Sequence, residues 1–272
     1  MLSVLRGAPP HIHMPKSKRV PIVNTTTAAA AKRSPTTLAS TVYDCLRTDI
    51  LAGELKPGHK LRIEFLGKRY GTGHIPLREA LNRLSSDGLV ERRDQRGFLV
   101  AAVSAADLRE LTKTRCLVEG AALAESIAAR SAAWEEGMVL AFHRLSRTPR
   151  STSRAQYKAN PAWEPLHRDF HRSLIAACGS RWLLNFCMQL ADQSYRYHQL
   201  AFKQVFPLRN DTDGHRAIMQ AAIDGDTQKA VRLLQAHVRF TADTILKNGD
   251  ALDALPSEAG HRTAARKATR RK

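Results

Sequence analysis

Four of the eleven histidines have the spacing that a metal site in a helical protein requires. His167 and His171 are four residues apart, so they share one face of a predicted amphipathic helix. His215 and His237 fall on two later predicted helices, and three helices of one bundle could therefore direct four imidazoles to one internal point. Neutral imidazole binds cations such as zinc, nickel and iron. A histidine on an apolar face is more often a core residue, so the spacing by itself leaves both interpretations open.

Two arginines could complete an anion site beside such a metal. Arg115 lies on the first predicted helix of the C-terminal half, and Arg196 lies on the fourth. A metal held only by imidazoles keeps open positions that an effector carboxylate could fill, and a guanidinium could hold a second carboxylate through two parallel hydrogen bonds. The alternative for Arg115 is a salt bridge with Glu119 or another buried acid. The alternative for Arg196 is an exposed surface position.

The N-terminal part of the chain has the outline of a winged helix-turn-helix. Helical spacing of apolar residues predicts a helix over 37–52, a second over 63–70 and a third over 76–88, which opens at a proline. The segments LVERR and GFLVAAV then alternate as a small β-hairpin. In this motif the third helix enters the major groove of DNA, and its N-terminal residues face the base edges.

One residue of the third helix is the strongest candidate for a contact with a base. Arg78 lies on the exposed first turn, and its guanidinium could bind guanine or a phosphate through two hydrogen bonds. The alternative is a surface arginine paired with a neighbouring acid. Further candidates for base, phosphate or minor-groove contacts, each of which could also be a solvated surface residue, are His74, Thr72, Arg62, Arg93, Gln95 and Arg96.

The C-terminal half is predicted to be an all-α antiparallel bundle. Ser104 and Asp107 form a start that resembles a capping box. Helices are predicted near 105–130, 132–146, 161–178, 181–204, 210–224 and 227–247. The predicted fold class is therefore mainly α, with a winged helix-turn-helix over 37–103 and a ligand-binding and dimerisation bundle over 104–248.

The two ends, 1–36 and 249–272, are predicted to be disordered basic tails. Residues 1–35 contain six Lys or Arg and no acid, and residues 256–272 contain six and one acid, so the tails carry much of the formal net charge of +18. Basic tails add phosphate affinity without defining a function. The sequence has neither an apolar run of roughly 18 residues, as a membrane span requires, nor a signal-peptide pattern. These features predict a cytoplasmic protein with no membrane partner.

Several spaced motifs resemble one family of regulators. The stretches LRTDILAGELKPGHKL and PLREALNRLSSDGLVERRDQRGFLV resemble the winged helix of the GntR family. The segments RCLVE, HRDFH and HRAIMQAAIDGDTQKAVRLLQAH resemble the FCD (FadR C-terminal) ligand-binding domain. Within the family, RYGTGHIPLREAL and FHRSLIAACGSRWLL are similar to the carbon-starvation, glutarate-responsive type. The resemblance implies a homodimeric, ligand-responsive DNA-binding protein in which Arg78 contacts the operator.

The third helix departs from the pattern of the family at its start. Family members usually have Ser/Thr-Arg-Thr before the proline, whereas this chain has Gly73-His74-Ile75. An arginine at the second of these positions would read guanine or clamp a phosphate, and His74 is a weaker donor. The operator sequence is therefore expected to differ from those of better-known members.

The resemblance also bears on the four histidines. Many FCD domains bind a divalent metal through an Asp-x-x-x-His pair and two later histidines. His171, His215 and His237 match the three histidine positions, and His167 stands where the aspartate usually lies. Replacing the aspartate removes a negative charge, which should favour zinc or nickel over magnesium or calcium.

These features predict a sequence-specific transcription regulator, expected to be a repressor, that binds a short inverted repeat of double-stranded DNA. A small carboxylate effector bound at the metal would lower operator affinity, and the linker near Ala101–Ser104 would couple the two domains. One alternative is a metal-dependent enzyme that activates water, although no acid near the histidines is an evident general base. The other is a non-specific nucleic-acid-binding protein driven by the basic tails.

Overall fold

The computed structural model describes residues 37–95, 97–153, 158–201 and 211–247. In these residues a small sheet and a set of α-helices confirm the predicted fold class. The N-terminal elements are α1 (Leu38–Leu51), β1 (Lys60–Leu61), α2 (Ile63–Tyr70), α3 (His74–Ser86), β2 (Val90–Arg93) and β3 (Gly97–Val100). The C-terminal elements are α4 (Ala105–Ala128), α5 (Ala132–Ser146), α6 (Trp163–Leu174), α7 (Arg181–Ala201), α8 (Asp211–Ile223) and α9 (Thr227–Lys247). Both predicted tails, and Arg96 of the predicted wing, lie outside the described residues. Among the described helices, none combines the length and the hydropathy needed to cross a membrane.

Three helices and the sheet enclose the first hydrophobic core. Helix α1 begins after Thr37, whose side chain accepts a hydrogen bond from the Ser40 N–H at 3.2 Å. Helix α2 ends at Gly71, which has the left-handed φ of 62° that glycine adopts without Cβ strain. The apolar faces of α1 and α3 meet through the buried residues Val42, Leu46, Ile50, Leu77, Leu81 and Leu84. This packing holds α3 with one face buried and the opposite face outward.

The sheet has one strand more than the predicted hairpin. Strand β1 pairs antiparallel with β3, so the strand order is β1-β3-β2. A strand of two residues is too short to show an alternating pattern, which is why the sequence did not reveal it. Helix α3 also begins two residues before the predicted Pro76, because Gly73 takes the extended N-cap conformation.

Helices α4–α9 enclose a second core. Ser104 caps α4 as predicted, since its side chain accepts a hydrogen bond from the Asp107 N–H at 3.1 Å. Helix α6 ends at Leu174 rather than near residue 178 as predicted, and turns lead to Gly179 with a φ of 70°. The largest fully buried side chains of this core include Leu123, Met138, Phe170 and Leu174. Phe170 and Leu174 pack α6 into this core, and α6 is the helix that carries His167 and His171.

Helix α7 contacts both cores. Cys187, near its start, is buried in the helical core, whereas Tyr195 packs against the core of the winged helix. The Gln193 side chain donates a hydrogen bond of 2.9 Å to the carbonyl of Asp87, the residue that ends α3. The winged helix and the bundle are therefore connected by a rigid element as well as by the linker between β3 and α4.

Candidate metal centre and nucleic-acid interface

The tertiary structure brings the four predicted histidines together. His167 and His171 lie on α6, one turn apart, while α8 contributes His215 and α9 contributes His237. One ring nitrogen of each histidine lies within 4.8 Å of those of the other three. The Nε2 atoms of His167 and His171 are 3.1 Å apart. Three helices thus direct four imidazoles to one point in the bundle.

The donor set fits a divalent metal ion. Two nitrogens bound to one tetrahedral zinc lie about 3.3 Å apart, given a Zn–N distance of about 2.0–2.1 Å, and the observed separations of 3.1–4.8 Å need small side-chain shifts to match. His215 is buried, and the other three histidines are half-buried. The Nδ1 atom of His171 is buried without a hydrogen-bond partner among the described residues. The clustered nitrogens could therefore hold a metal ion.

The protonation state of the cluster also suits a metal. Burial lowers the pKa of His167 and of His171 well below the ordinary value of 6.5, and the neighbouring histidines lower each pKa further. At neutral pH both rings therefore keep a lone pair available for coordination. Trp163 stacks on the His167 ring with the centroids 4.4 Å apart, which restrains the orientation of that ligand.

A cavity of about 50 Å³ lies beside the cluster and is lined by His167, His171 and Arg115. The Arg115 guanidinium donates to Glu119 at 2.7 Å and to the Ser194 hydroxyl at 2.8 Å. Arg115 thus occupies the predicted place in the cavity and also makes the salt bridge that the sequence left as the alternative. Its three hydrogen bonds leave two of the five guanidinium N–H groups for a ligand.

The structure places Arg196 away from this cavity. Its buried guanidinium donates to the Ala101 carbonyl and, at 2.9 Å, to the Gln193 side chain. Positions 194 and 196 on one helix point in different directions, so Ser194 faces the cavity while Arg196 faces the linker between the domains. This position does not suit the predicted effector contact, and it is not the exposed surface of the alternative.

Sequence reasoning missed one acid in the cavity wall. Glu164 lines the same cavity as His167, because the two residues are three apart on α6 and share a face. Burial raises the pKa of the Glu164 carboxyl to about 7, against the lowering effect of Arg168 and Arg150. The i, i+3 spacing from Glu164 to His167 was the signal that could have found this carboxyl.

The predicted DNA contacts converge on a second surface. Arg62, Arg78, Arg93 and Gln95 line one open groove of about 600 Å³ between α3 and the wing. The same groove is lined by five polar residues that the sequence reasoning did not single out, namely Lys60, Asn82, Arg92 and the acids Glu64 and Asp94, so that its basic residues outnumber its acids. A basic groove beside the recognition helix has the charge that a DNA backbone requires.

The remaining candidates for DNA contact differ in position. His74 is exposed at the first residue of α3, one turn from Arg78. The Thr72 hydroxyl is buried without a hydrogen-bond partner among the described residues, so its position does not favour the predicted phosphate contact. Arg93 forms an ion pair of 2.9 Å with Glu91, two residues away on β2, which reduces the charge that it can offer to DNA.

The raised pKa of Glu164 gives a pH-dependent prediction for the metal-free protein. The folded state, with a pKa of about 7, binds the proton more tightly than the unfolded state, with a pKa of 4.5. The wild type should therefore lose stability relative to Glu164→Gln as the pH rises from 4.5 to 7. Urea denaturation of both proteins across this range, with Glu136→Gln at an exposed position as the control, measures the difference. A difference between wild type and Glu164→Gln that is constant with pH would contradict the assignment.

Two family descriptions match the chain. "Bacterial regulatory proteins, gntR family" matches residues 38–100, and "FCD domain" matches residues 110–240. The first range spans the winged helix with its sheet, and the second spans most of the bundle, including all four clustered histidines.

Individual relatives agree with this assignment. The chain is 35% identical over 212 residues to the uncharacterised HTH-type transcriptional regulator BphR of Paraburkholderia xenovorans (strain LB400), covering 78% of this chain and 86% of BphR. It is 32% identical over 200 residues to the HTH-type transcriptional repressor GlaR of Escherichia coli (strain K12), covering 72% of this chain and 90% of GlaR. The solved structure of E. coli McbR/YncC has the same fold, with a TM-score of 0.65 and 20% identity over 78% of this chain and 98% of that chain. The chain therefore belongs to the GntR family and is an FCD-domain transcription regulator that binds DNA, not an enzyme.

Proposed function

We propose that this regulator binds a small organic acid at a divalent metal held by His167, His171, His215 and His237, and that binding lowers its affinity for the operator. The observation that carries the proposal is the convergence of four imidazole nitrogens within 4.8 Å, beside a cavity that Arg115 lines. A metal and an arginine that face one cavity provide two attachment points for an anion.

The chemistry of the donors favours zinc or nickel. Four neutral imidazoles leave the full charge of a dication uncompensated, and no carboxylate belongs to the clustered set. Magnesium and calcium prefer oxygen ligands, whereas zinc and nickel accept imidazole nitrogen. When bound, the ion would act as a Lewis acid that attracts an effector carboxylate.

The cavity favours a small acid as the effector. One carboxylate would lie toward the histidines, and Arg115, held in place by Glu119 and Ser194, would bind a second carboxylate or a hydroxyl. The cavity volume of about 50 Å³ suits a compact dicarboxylate or hydroxy acid. The Glu164 carboxyl lines the same cavity.

Helix α7 and the linker would carry the signal between the domains. Asp192 of α7 forms ion pairs with Arg168, the neighbour of His167 on α6, and with Arg47 on α1 of the winged helix. Arg196 holds the linker carbonyl of Ala101. An effector that shifts α6 against α7 would therefore disturb contacts to the winged helix. Such coupling requires that the effector bind the two arrangements with different affinity.

A homodimer would place two recognition helices in successive major grooves of an inverted repeat. The face formed by α4 and α7 is the surface that we propose for pairing. Thr114 and Phe186 line one groove between these helices, and Leu117 and Trp182 extend the same side by one turn each. Leu117 is 63% exposed and Trp182 is 74% exposed. A contiguous exposed patch of large apolar side chains is typical of an interface.

Selection from random duplex DNA tests operator binding. The wild type should enrich a short palindrome at physiological salt, whereas Arg78→Ala should lose roughly 5- to 150-fold in affinity for that site, because a bidentate base contact contributes about 1–3 kcal/mol. Arg109→Ala, an exposed position on α4, is the control. Equal enrichment by wild type and Arg78→Ala would contradict the proposal that α3 recognises the bases of the operator. Salt-dependent binding without a preferred site would instead support the non-specific alternative.

Metal binding is tested on chelator-treated protein. We expect about one zinc or nickel ion per chain, and we expect His171→Ala to weaken affinity by at least about tenfold because it removes a ligand. His143→Ala, at an exposed position on α5, is the matched control. Competition with a chromophoric chelator measures both affinities. Unchanged zinc and nickel affinity in His171→Ala would contradict the proposed site.

The pairing surface makes a separate prediction about mass. Trp182→Glu places a charge in the proposed interface and should convert the dimer to a monomer in light scattering after size-exclusion chromatography, because an unpaired charge is costly to bury. Leu140→Glu, at an exposed apolar position on α5, should leave the mass unchanged. If Trp182→Glu remains a dimer, the interface lies on another face of the protein.

A further inference from the structure

Ile75 is the large apolar side chain with the greatest exposure among the described residues, at 81%. It is the second residue of α3, immediately before Pro76. A large apolar side chain gains free energy when it leaves water. Helix α3 therefore carries a large apolar side chain that the described part of the chain leaves almost uncovered.

The geometry of α3 directs Ile75 toward the DNA. Residues three, four and seven apart share one side of a helix, so Ile75 lies in a row with Arg78 and Asn82. Both of those residues line the basic groove beside the wing. The opposite side of α3 is buried through Leu77, Leu81 and Leu84. Ile75 thus shares the outward side of the first helical turns with the residues placed to read DNA.

We infer that Ile75 contacts the C5-methyl group of a thymine in each half of the operator, and this inference rests on the operator binding proposed above. The thymine methyl is the apolar group on the base edges of the major groove, which otherwise present hydrogen-bond donors and acceptors. A branched aliphatic side chain has no polar atom to satisfy those donors and acceptors, but it can cover a methyl group. Ile75 is therefore a specificity-determining residue for thymine.

Helix geometry also limits where the thymine lies. Ile75 and Arg78 are separated along the helix axis by about 4.5 Å, at about 1.5 Å per residue, and stacked base pairs lie about 3.4 Å apart. The thymine should therefore lie within one or two base pairs of the base that Arg78 contacts. In the sites that each variant selects, Ile75→Ala should lose the base preference at one position of each half-site. Arg78→Ala should lose the base preference at a different, neighbouring position.

Replacing thymine by uracil tests the contact directly, because it removes the methyl group and keeps the Watson–Crick pair. The operator selected by the wild type is synthesised with deoxyuridine at one thymine position of both half-sites at a time. At one position the wild type should lose about fourfold in affinity per half-site, the value expected for one methyl group returned to water. Ile75→Ala should bind the thymine operator more weakly and should not distinguish uracil from thymine at that position. Leu38→Ala, which removes an exposed aliphatic side chain from α1, should keep the wild-type response.

The outcomes separate this inference from the proposed function. If the wild type selects an operator but uracil changes its affinity at no position, Ile75 does not read thymine, while the regulator remains a sequence-specific DNA-binding protein. Equal sensitivity of Ile75→Ala and wild type to uracil would also overturn the inference. If the wild type selects no site, the operator proposal itself fails. Circular dichroism melting of Ile75→Ala, which should match the wild type because the residue is exposed, shows that the variant is folded.

Discussion

Four imidazole rings lie close together inside the helical bundle. A positive charge on any of these rings is unfavourable there, because the rings are removed from water and lie next to one another. Burial and mutual repulsion keep His167 and His171 neutral, as their lowered pKa values indicate. A neutral imidazole has one N–H group and one lone pair, so a cation at the centre of the cluster could accept the lone pair of each of the four rings. Helices α6, α8 and α9 must hold their relative positions for this to occur, and the apolar core around Phe170 and Met138 provides that rigidity.

The charges around this cluster explain why an anion is the expected ligand. A dication held by neutral ligands adds two positive charges to a wall that already contains Arg115 and Arg168. Glu119 and Asp192 compensate the two arginines through ion pairs, and the clustered group itself consists of four histidines without a carboxylate. An effector carboxylate would supply the missing negative charge. Asp192 also forms an ion pair with Arg47 of the winged helix, so the ion pairs beside the cavity connect directly to the DNA-binding domain.

The two domains use their surfaces for different kinds of recognition. The cavity in the bundle is small and is lined by side chains that hold each other in place, which suits a compact ligand. The groove beside α3 is open and basic, which suits an extended polyanion. Helix α7 connects them through Gln193 and Arg196, which fix the end of α3 and the linker. These contacts would let a small shift in the bundle reach α3.

Local patterns in the sequence were sufficient to predict most of the fold. Apolar periodicity located the helices, the Ser104 cap located the start of the bundle, and the i, i+4 spacing of His167 and His171 placed two ligands on one face. The two-residue strand β1 escaped prediction because it forms only by pairing with β3, which is distant in sequence. The early start of α3 depended on the backbone conformation of Gly73, which residue type alone does not specify.

The sequence by itself determined which residues could act: four histidines for a metal, arginines for anions, and a basic recognition helix and wing for DNA. Only the tertiary structure decided which of them meet. It brought the four histidines within 4.8 Å, placed Glu164 in the same cavity, turned Arg196 toward the linker and left Ile75 exposed beside Arg78. The reason is that helical spacing fixes the relative directions of side chains on one helix, whereas the rotation of each helix against its neighbours depends on packing between residues far apart in the chain.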